Sequence, residues 1–207
     1  RFVELDLPLQ PDMPVFLALG RVDEWGKFAA LSDRSLMFYA IRNIAEEFLG
    51  STTRFLCVPV DRSRFVWFIQ PGPAQELDHG PDPRKFWDHM AQLIAGNAES
   101  IQENCNRLLQ IPISLAIGCK PVSWDRTADA FETLKVLLGF GLGRGKELLI
   151  TDSAWQRENR KSSREYFSEH ELRGSLKKLD LLEYCLDSGD KAGFADLFQQ
   201  LVQSAGG

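Results

Sequence analysis

The segment from Gly139 to Lys146 combines four glycines with a lysine, the residue types that cradle phosphate in nucleotide-binding loops. Such a loop must lie between a strand and the N-terminus of a helix, because the N–H groups of the loop and of the helix then face the anion. Here a helical pattern precedes the loop, a short apolar run follows it, and Glu147 stands where a phosphate loop has Ser or Thr. We interpret the segment as a helix end followed by a turn.

The histidines and cysteines show no spacing typical of a metal site or of an activated nucleophile. The three histidines are isolated from one another, and the four cysteines occur singly with no Cys-x-x-Cys pair. Most of the cysteines stand in apolar runs, where a free thiol behaves as a small hydrophobic group. We therefore expect reduced, buried thiols, no metal, no cofactor and no catalytic residue. The residues concerned are His79, His89, His170, Cys57, Cys105, Cys119 and Cys185.

Composition narrows the function classes further. The chain has 207 residues, 44% hydrophobic and 26% charged, which is typical of a globular protein. Its formal net charge of −5 gives no general attraction to nucleic acid. No apolar run is long enough to span a bilayer, and the first residues lack the hydrophobic region of a signal peptide. We expect a cytoplasmic protein, and the start at Arg1 suggests a fragment of a longer chain.

Apolar periodicity predicts a β-α-β-β-α-β-α-β order of elements up to about Thr151. The predicted strands are 15–19, 55–60, 65–69, 113–117 and 148–150, and the predicted helices begin near Ser32 or Asp33, at Asp82-Pro83 and near Ser123. The two central strands flank the polar turn 61–64 and read as a β-hairpin, which requires an antiparallel pair. Pro59 should lie at a strand end or edge. The pattern predicts an α+β domain with a mainly antiparallel sheet packed by helices.

A change of composition follows residue 153. Residues 154–167 are hydrophilic and are interpreted as a linker, whereas residues 168–207 show two apolar stripes at helical spacing. A capping box at 168–171 opens the first helix and Gly189 separates the two, so the segment predicts an αα-hairpin. Residues 165–207 carry eight acidic and four basic side chains, a balance that does not favour DNA recognition.

The order of elements around a central hairpin resembles the palm of the nucleotidyl cyclases of the GGDEF group. A closer resemblance is to the degenerate GGDEF-like domain in the middle of AraC-type two-component response regulators. The segments that carry it are 38–47, 113–118, 128–131 and 148–151, in that order and at that spacing. The resemblance covers nearly the whole chain. It implies domain 1–153, linker 154–167 and a hairpin 168–207 that leads towards a DNA-binding domain.

The resemblance also implies where catalysis has been lost. The stretch 21–25 corresponds to the first metal-binding segment of the cyclases, and Arg21 stands in place of its first aspartate. The hairpin turn 61–64 lacks both glycines of the signature loop, so side chains would stand against the phosphates of a nucleotide. Acidic residues survive at Asp23, Asp33 and Asp61. Together with Arg62 they are the ligand contacts that the resemblance predicts, although a loop carboxylate and a helix cap are the favoured interpretation of the first two.

The function implied is a non-catalytic module that relays a signal within a response regulator and contributes to dimerisation. Its partners would be the receiver and the AraC helix-turn-helix domains of the same chain and a second copy of the chain, with no direct contact to nucleic acid or membrane. The alternative is a sensor that binds a nucleotide or another small molecule in the vestigial cleft. An active cyclase is the least favoured reading, because it needs two metals held by carboxylates.

Overall fold

The computed structural model describes residues 7–26, 28, 31–77, 82–139, 147–153, 178, 181–182, 184–186 and 188–205. The chain divides into two compact units, Arg1–Glu158 and Asn159–Gly207. The predicted linker 154–167 and the predicted hairpin start 168–177 lie outside the described residues, as do residues 140–146 of the glycine-rich segment. No helix in the described part of the chain is long and apolar enough to cross a membrane.

The first unit is built on a five-stranded sheet with the order β2-β3-β1-β4-β5. The strands are β1 Phe16–Val22, β2 Thr53–Pro59, β3 Arg64–Pro71, β4 Ile113–Ile117 and β5 Leu149–Thr151. Neighbouring strands are antiparallel except β4 and β5, which are parallel. The predicted hairpin is therefore present, and the prediction of an α+β domain with a mainly antiparallel sheet is confirmed. Pro59 ends the edge strand β2, where its missing N–H is harmless.

Four helices accompany the sheet in the first unit among the described residues. They are α1 Leu31–Leu49, α2 Pro73–Leu77, α3 Pro83–Asn104 and α4 Thr127–Gly139. A π-helical turn, Cys105–Leu109, prolongs α3, and a 3-10 turn, Trp124–Arg126, precedes α4. The short helix α2 lies in a segment rich in Pro and Gly, where the apolar periodicity predicts no helix or strand. The other helices match the predicted order.

The sheet is buried on both faces because its strands are apolar on both sides. Alternate residues of β1, Phe16, Ala18 and Val22, join a core formed with α1 and α3. The residues between them, Leu17 and Leu19, join a second core under α4. Helix α1 contributes its positions Met37, Ile41, Ala45 and Leu49, spaced by one turn and all buried.

The start of α3 follows the sequence prediction closely. Asp82 is its N-cap, and the Asp82 carboxylate accepts a hydrogen bond of 3.0 Å from the backbone N of Arg84. Pro83 follows at the first helical position, where no N–H is required. The start of α1 differs from the prediction, since the helix already begins at Leu31 and Asp33 lies inside its first turn. An acidic side chain there interacts favourably with the helix dipole without being the cap.

The described part of the second unit has helical residues between 178 and 188, a turn at Gly189 and one helix after it. Gly189 has φ +73°, the left-handed conformation that suits a glycine after a helix end. The Asp190 carboxylate accepts a hydrogen bond of 3.0 Å from Gly193 N and so caps helix α5, Lys191–Ala205. The role of Gly189 between the two helices was predicted from the sequence. Leu182 and Cys185 before the turn are buried, whereas Tyr184 is exposed.

Candidate functional site

Arg21, for which the resemblance predicts the place of a metal-binding aspartate, lies near the end of the central strand β1. It is paired across the sheet with Arg64 of β3 and with Ser114 of β4. Because side chains alternate along a strand, Arg21 shares the face of Leu17 and Leu19, which is the α4 face. Three polar side chains from three adjacent strands therefore form a row on an otherwise apolar surface.

The Arg21 guanidinium is held by two partners. Its Nε and Nη2 lie 2.8 and 2.7 Å from Oδ1 of Asp23. Its Nη1 donates a bond of 3.3 Å to the carbonyl of Leu138, in the last turn of α4. A cation at that position satisfies a helix-end carbonyl and complements the negative end of the helix dipole. Arg21 therefore joins the end of β1 to the end of α4.

The second carboxylate oxygen of Asp23 is also occupied. The Ser114 hydroxyl donates to Oδ2 of Asp23 at 2.6 Å and accepts a bond of 2.9 Å from Leu148 N. The chain Leu148–Ser114–Asp23 thus connects β5, β4 and the end of β1. Glu147 immediately precedes Leu148. Partial burial and the nearby charge of Asp23 both raise the pKa of the Glu147 carboxyl group. Both oxygens of Asp23 have protein partners.

A buried glutamine completes this polar arrangement from the opposite face. Nε2 of Gln102, on α3, donates to the carbonyls of Ile113 at 2.7 Å and Leu148 at 2.9 Å. Buried amides are stable only when they are paired, and this one fastens the residue before β5 to the start of β4. Sequence reasoning missed Gln102, because a glutamine within an amphipathic helix is normally solvent-exposed. Its position on the apolar stripe, one residue after Ile101, was the available signal.

Asp61 organises the hairpin turn. Its Oδ1 accepts hydrogen bonds from Ser63 N at 2.8 Å and Arg64 N at 2.7 Å, and its Oδ2 pairs with the Arg64 guanidinium. This is the turn chemistry typical of aspartate, in which the side chain imitates a backbone turn. The carboxylate that the resemblance predicts as a ligand contact therefore has partners within its own loop.

The four predicted contacts lie on three separate elements. Asp23 follows β1, Asp33 is in the first turn of α1, and Asp61 and Arg62 are in the hairpin turn, where Arg62 is exposed. Among the described residues, no three His, Cys, Asp or Glu side chains are grouped so that they could hold a metal ion. The role of these four residues as ligand contacts stays a prediction.

A cavity of about 480 Å³, which no sequence pattern predicted, lies at the other end of β1. It opens where β4 and β5 end and α4 begins. Its lining comprises Leu17, Gly118, Lys120, Pro121, Val122, Ser123, Arg126, Asp129, Ala130, Thr133, Leu134 and Asp152. Sequence reasoning could not find it, because its walls come from three distant segments with no shared motif.

All four cysteines are free thiols; Cys105 and Cys185 are buried, whereas Cys57 and Cys119 are half-buried, so the expectation of burial holds for two of the four. Burial raises the pKa of Cys57 to about 11 and that of Cys105 to about 12. Since only the thiolate is a nucleophile, both should resist alkylation by iodoacetamide near pH ~8 in the folded protein and react once urea unfolds it. Peptide mass spectrometry measures this difference. Rapid labelling of either residue under native conditions would contradict the prediction.

The same shifts give a pH dependence of stability. The folded chain favours the neutral thiols of Cys57 and Cys105. Their contribution to the free energy of unfolding is therefore present at pH values below the ordinary thiol pKa of 9.0, and it is lost as the pH rises through the pKa values of the folded chain.

Neither a family model nor a curated protein matches this chain. What the site does is therefore inferred from its own contacts.

Proposed function

We propose that the chain is a non-catalytic regulatory module of an AraC-type two-component response regulator. It passes the state of a receiver domain to a DNA-binding domain through residues 168–207, and a second copy of the chain is a further partner. The observation that supports the non-catalytic reading best is the pairing of Arg21 with Asp23 at 2.7 Å. A fixed side-chain cation occupies the carboxylate that a catalytic metal would need.

Electrostatics explains why this pairing opposes metal catalysis. A nucleotidyl cyclase uses two divalent cations to activate the attacking oxygen and to neutralise the phosphates. A metal at Asp23 would have to displace the guanidinium and the Ser114 hydroxyl from its two oxygens. The displaced guanidinium would also lose its bond to the Leu138 carbonyl and would lie close to the incoming dication.

The hairpin turn supports the same conclusion. A phosphate needs close approach to backbone N–H groups, which glycines permit. Here the N–H groups of Ser63 and Arg64 already donate to Asp61. The turn is therefore closed by its own side chain and offers neither free N–H groups at these positions nor glycines.

The competing hypothesis is a nucleotide sensor that uses Asp23, Asp33, Asp61 and Arg62. The geometry favours it less, because the carboxylates of Asp23 and Asp61 are engaged and the four residues lie on three separate elements. The fold resemblance is compatible with either reading. Its supporting features are the β2–β3 hairpin and the placement of β1 between β3 and β4.

Incubation with GTP or ATP and Mn²⁺ or Mg²⁺ tests the non-catalytic reading. We expect no cyclic or linear dinucleotide and no cyclic mononucleotide by mass spectrometry, and no nucleotide-dependent rise in melting temperature. Product formed by the wild-type chain would overturn the proposal. A melting shift without product would favour the sensor. Sequencing the coding region upstream and downstream of these residues tests the regulator assignment. The assignment fails if that region encodes no receiver domain and no AraC helix-turn-helix pair.

A further inference from the structure

The cavity of about 480 Å³ lies at the carboxyl ends of the parallel strands β4 and β5, on the side of the first turns of α4. Ligands of α/β units commonly bind there, because the chain leaves the sheet and loops open a crevice. The volume is within the range of small-molecule sites, about 300 to 1,000 Å³. Arg21 and Asp23 are at the opposite end of β1, so this cavity is separate from the vestigial cleft.

The loop that forms one wall is fixed at both of its ends. Gly118 N donates to the carbonyl of Leu17 at 2.9 Å, and Val122 exchanges two hydrogen bonds of 2.8 and 2.9 Å with Val15. Between these points the Asp152 carboxylate accepts a bond of 2.9 Å from Cys119 N. A site whose wall is already ordered loses little entropy when a ligand binds.

The opposite wall is equally well anchored. Trp124 stacks on Phe68 with ring centroids 5.9 Å apart, and its indole N–H donates to the carbonyl of Gln10 at 3.2 Å. These contacts hold the 3-10 turn that leads into α4. The cavity is therefore bounded by rigid elements on both sides.

The charges in the lining set the chemistry of the occupant. There are two cations, Lys120 and Arg126, and two carboxylates, Asp129 and Asp152. Arg126 and Asp129 are paired with each other at 3.3 Å. Lys120 and Asp152 have no ion-pair partner in the part of the chain that the structure describes. A simple anion or a simple cation would meet as many repelling as attracting groups, whereas a zwitterion satisfies both remaining charges.

We infer that this cavity binds a small zwitterion with an apolar body, which is the chemistry of an apolar α-amino acid. Its carboxylate pairs with Lys120 and its ammonium with Asp152. Its side chain lies against the apolar part of the lining, which includes Leu17, Val122, Ala130 and Leu134. This inference goes beyond the regulatory role proposed above and does not depend on it.

Calorimetric titration of the 207-residue chain with alanine, valine, leucine, methionine and phenylalanine tests the inference. We expect at least one to bind, and the binder's analogue without the ammonium group and its analogue without the carboxylate each to bind about tenfold more weakly. For leucine these analogues are 4-methylpentanoate and 3-methylbutylamine. No binding by any of the five amino acids would overturn the inference, as would a carboxylate analogue that binds as tightly as its parent.

Variants locate the site. Lys120→Gln and Asp152→Asn should each weaken binding about tenfold, and the amide of the second variant can still accept the bond from Cys119 N. Lys85→Gln and Asp88→Asn, which remove the same charges from the exposed side of α3, should leave the affinity unchanged. Unaltered affinity in both cavity variants would place the binding elsewhere and overturn the assignment. Nucleotide turnover is measured separately, so the two proposals can fail independently.

Discussion

Replacing Gly20 with alanine is expected to lower the free energy of unfolding of the first unit by about 2 kcal/mol. Gly20 lies directly opposite Phe65 in the β1–β3 register, and a methyl group there would overlap the Cε2 and Cζ atoms of the Phe65 ring. The ring cannot move away easily, because it is fully buried and packs on Phe38 and Trp67. Urea unfolding followed by tryptophan fluorescence measures the loss, since Trp67 lies in the same core.

A glycine elsewhere in the unit provides the control. Gly96 lies exposed in the middle of α3, and a methyl group added there meets no atom within 4 Å. Gly96→Ala should therefore raise stability by about 0.5 to 1 kcal/mol, as is usual in a helix.

The second variant Phe65→Leu removes the ring atoms that the new methyl group would strike. Gly20→Ala should consequently be less damaging on that background, and equal effects on both backgrounds would refute the steric explanation.

Replacing Arg21 with methionine should lower the free energy of unfolding by about 2 kcal/mol. Methionine keeps much of the apolar length of the side chain but removes the bonds to Asp23 and to the Leu138 carbonyl. The side chains of Arg21 and Asp23 are only 15% and 21% exposed, so water compensates poorly for the lost pairing. Urea unfolding of this variant, of Asp23→Asn and of the double variant gives the coupling energy between the two residues.

The surface pair of Arg42 with Glu46 is the control for Arg21. These side chains are 3.5 Å apart on α1 and about half exposed. Arg42→Met should therefore change stability by no more than about 0.5 kcal/mol. If Arg21→Met lowered the free energy of unfolding as little as Arg42→Met, the polar row at the end of β1 would not stabilise the fold. The proposal that the guanidinium blocks a metal would then lose its support.

The elements with strong local signals could be predicted from the sequence. Strand β4 was predicted with its observed ends, because a largely apolar run of five residues stands between Pro112 and Gly118. The start of α3 followed from Asp82 and Pro83, whose side chains act on the backbone next to them. Such signals need only neighbours in the chain, so a single sequence contains them.

Features that depend on distant contacts could not be predicted. When the helical spacing of α3 is continued beyond its end, it predicts a buried Leu108, yet Leu108 is 61% exposed. The π-helical turn explains this, because its wider winding shifts the apolar stripe out of phase with α3. Strand β1 likewise continues beyond the predicted apolar run 15–19 and ends at Val22, because β3 and β4 extend far enough to pair with Arg21.

The candidate site shows the same limit. The resemblance predicts that Arg21 stands in place of an acidic residue, but the sequence did not reveal that its partners are Asp23 and the last turn of α4. The resemblance predicts Asp61 as a ligand contact. A carboxylate that binds a ligand and a carboxylate that closes its own turn are the same side chain in the sequence, so only the structure distinguishes the two roles. The cavity at Lys120 depends on three segments that only the fold brings together.

The position of β1 at the centre of the sheet determines the order in which the first unit can assemble. Val22 pairs with Ile113, so the central strand emerges from the ribosome long before its β4 partner exists. The β2–β3 hairpin is the pairing of nearest neighbours in the chain among the described strands, and its loop closes at little entropic cost. The contacts of β1 are strongly non-local, and such contacts slow folding. During synthesis the hairpin can form first and offer an edge to β1, whose other edge stays unpaired until β4 arrives.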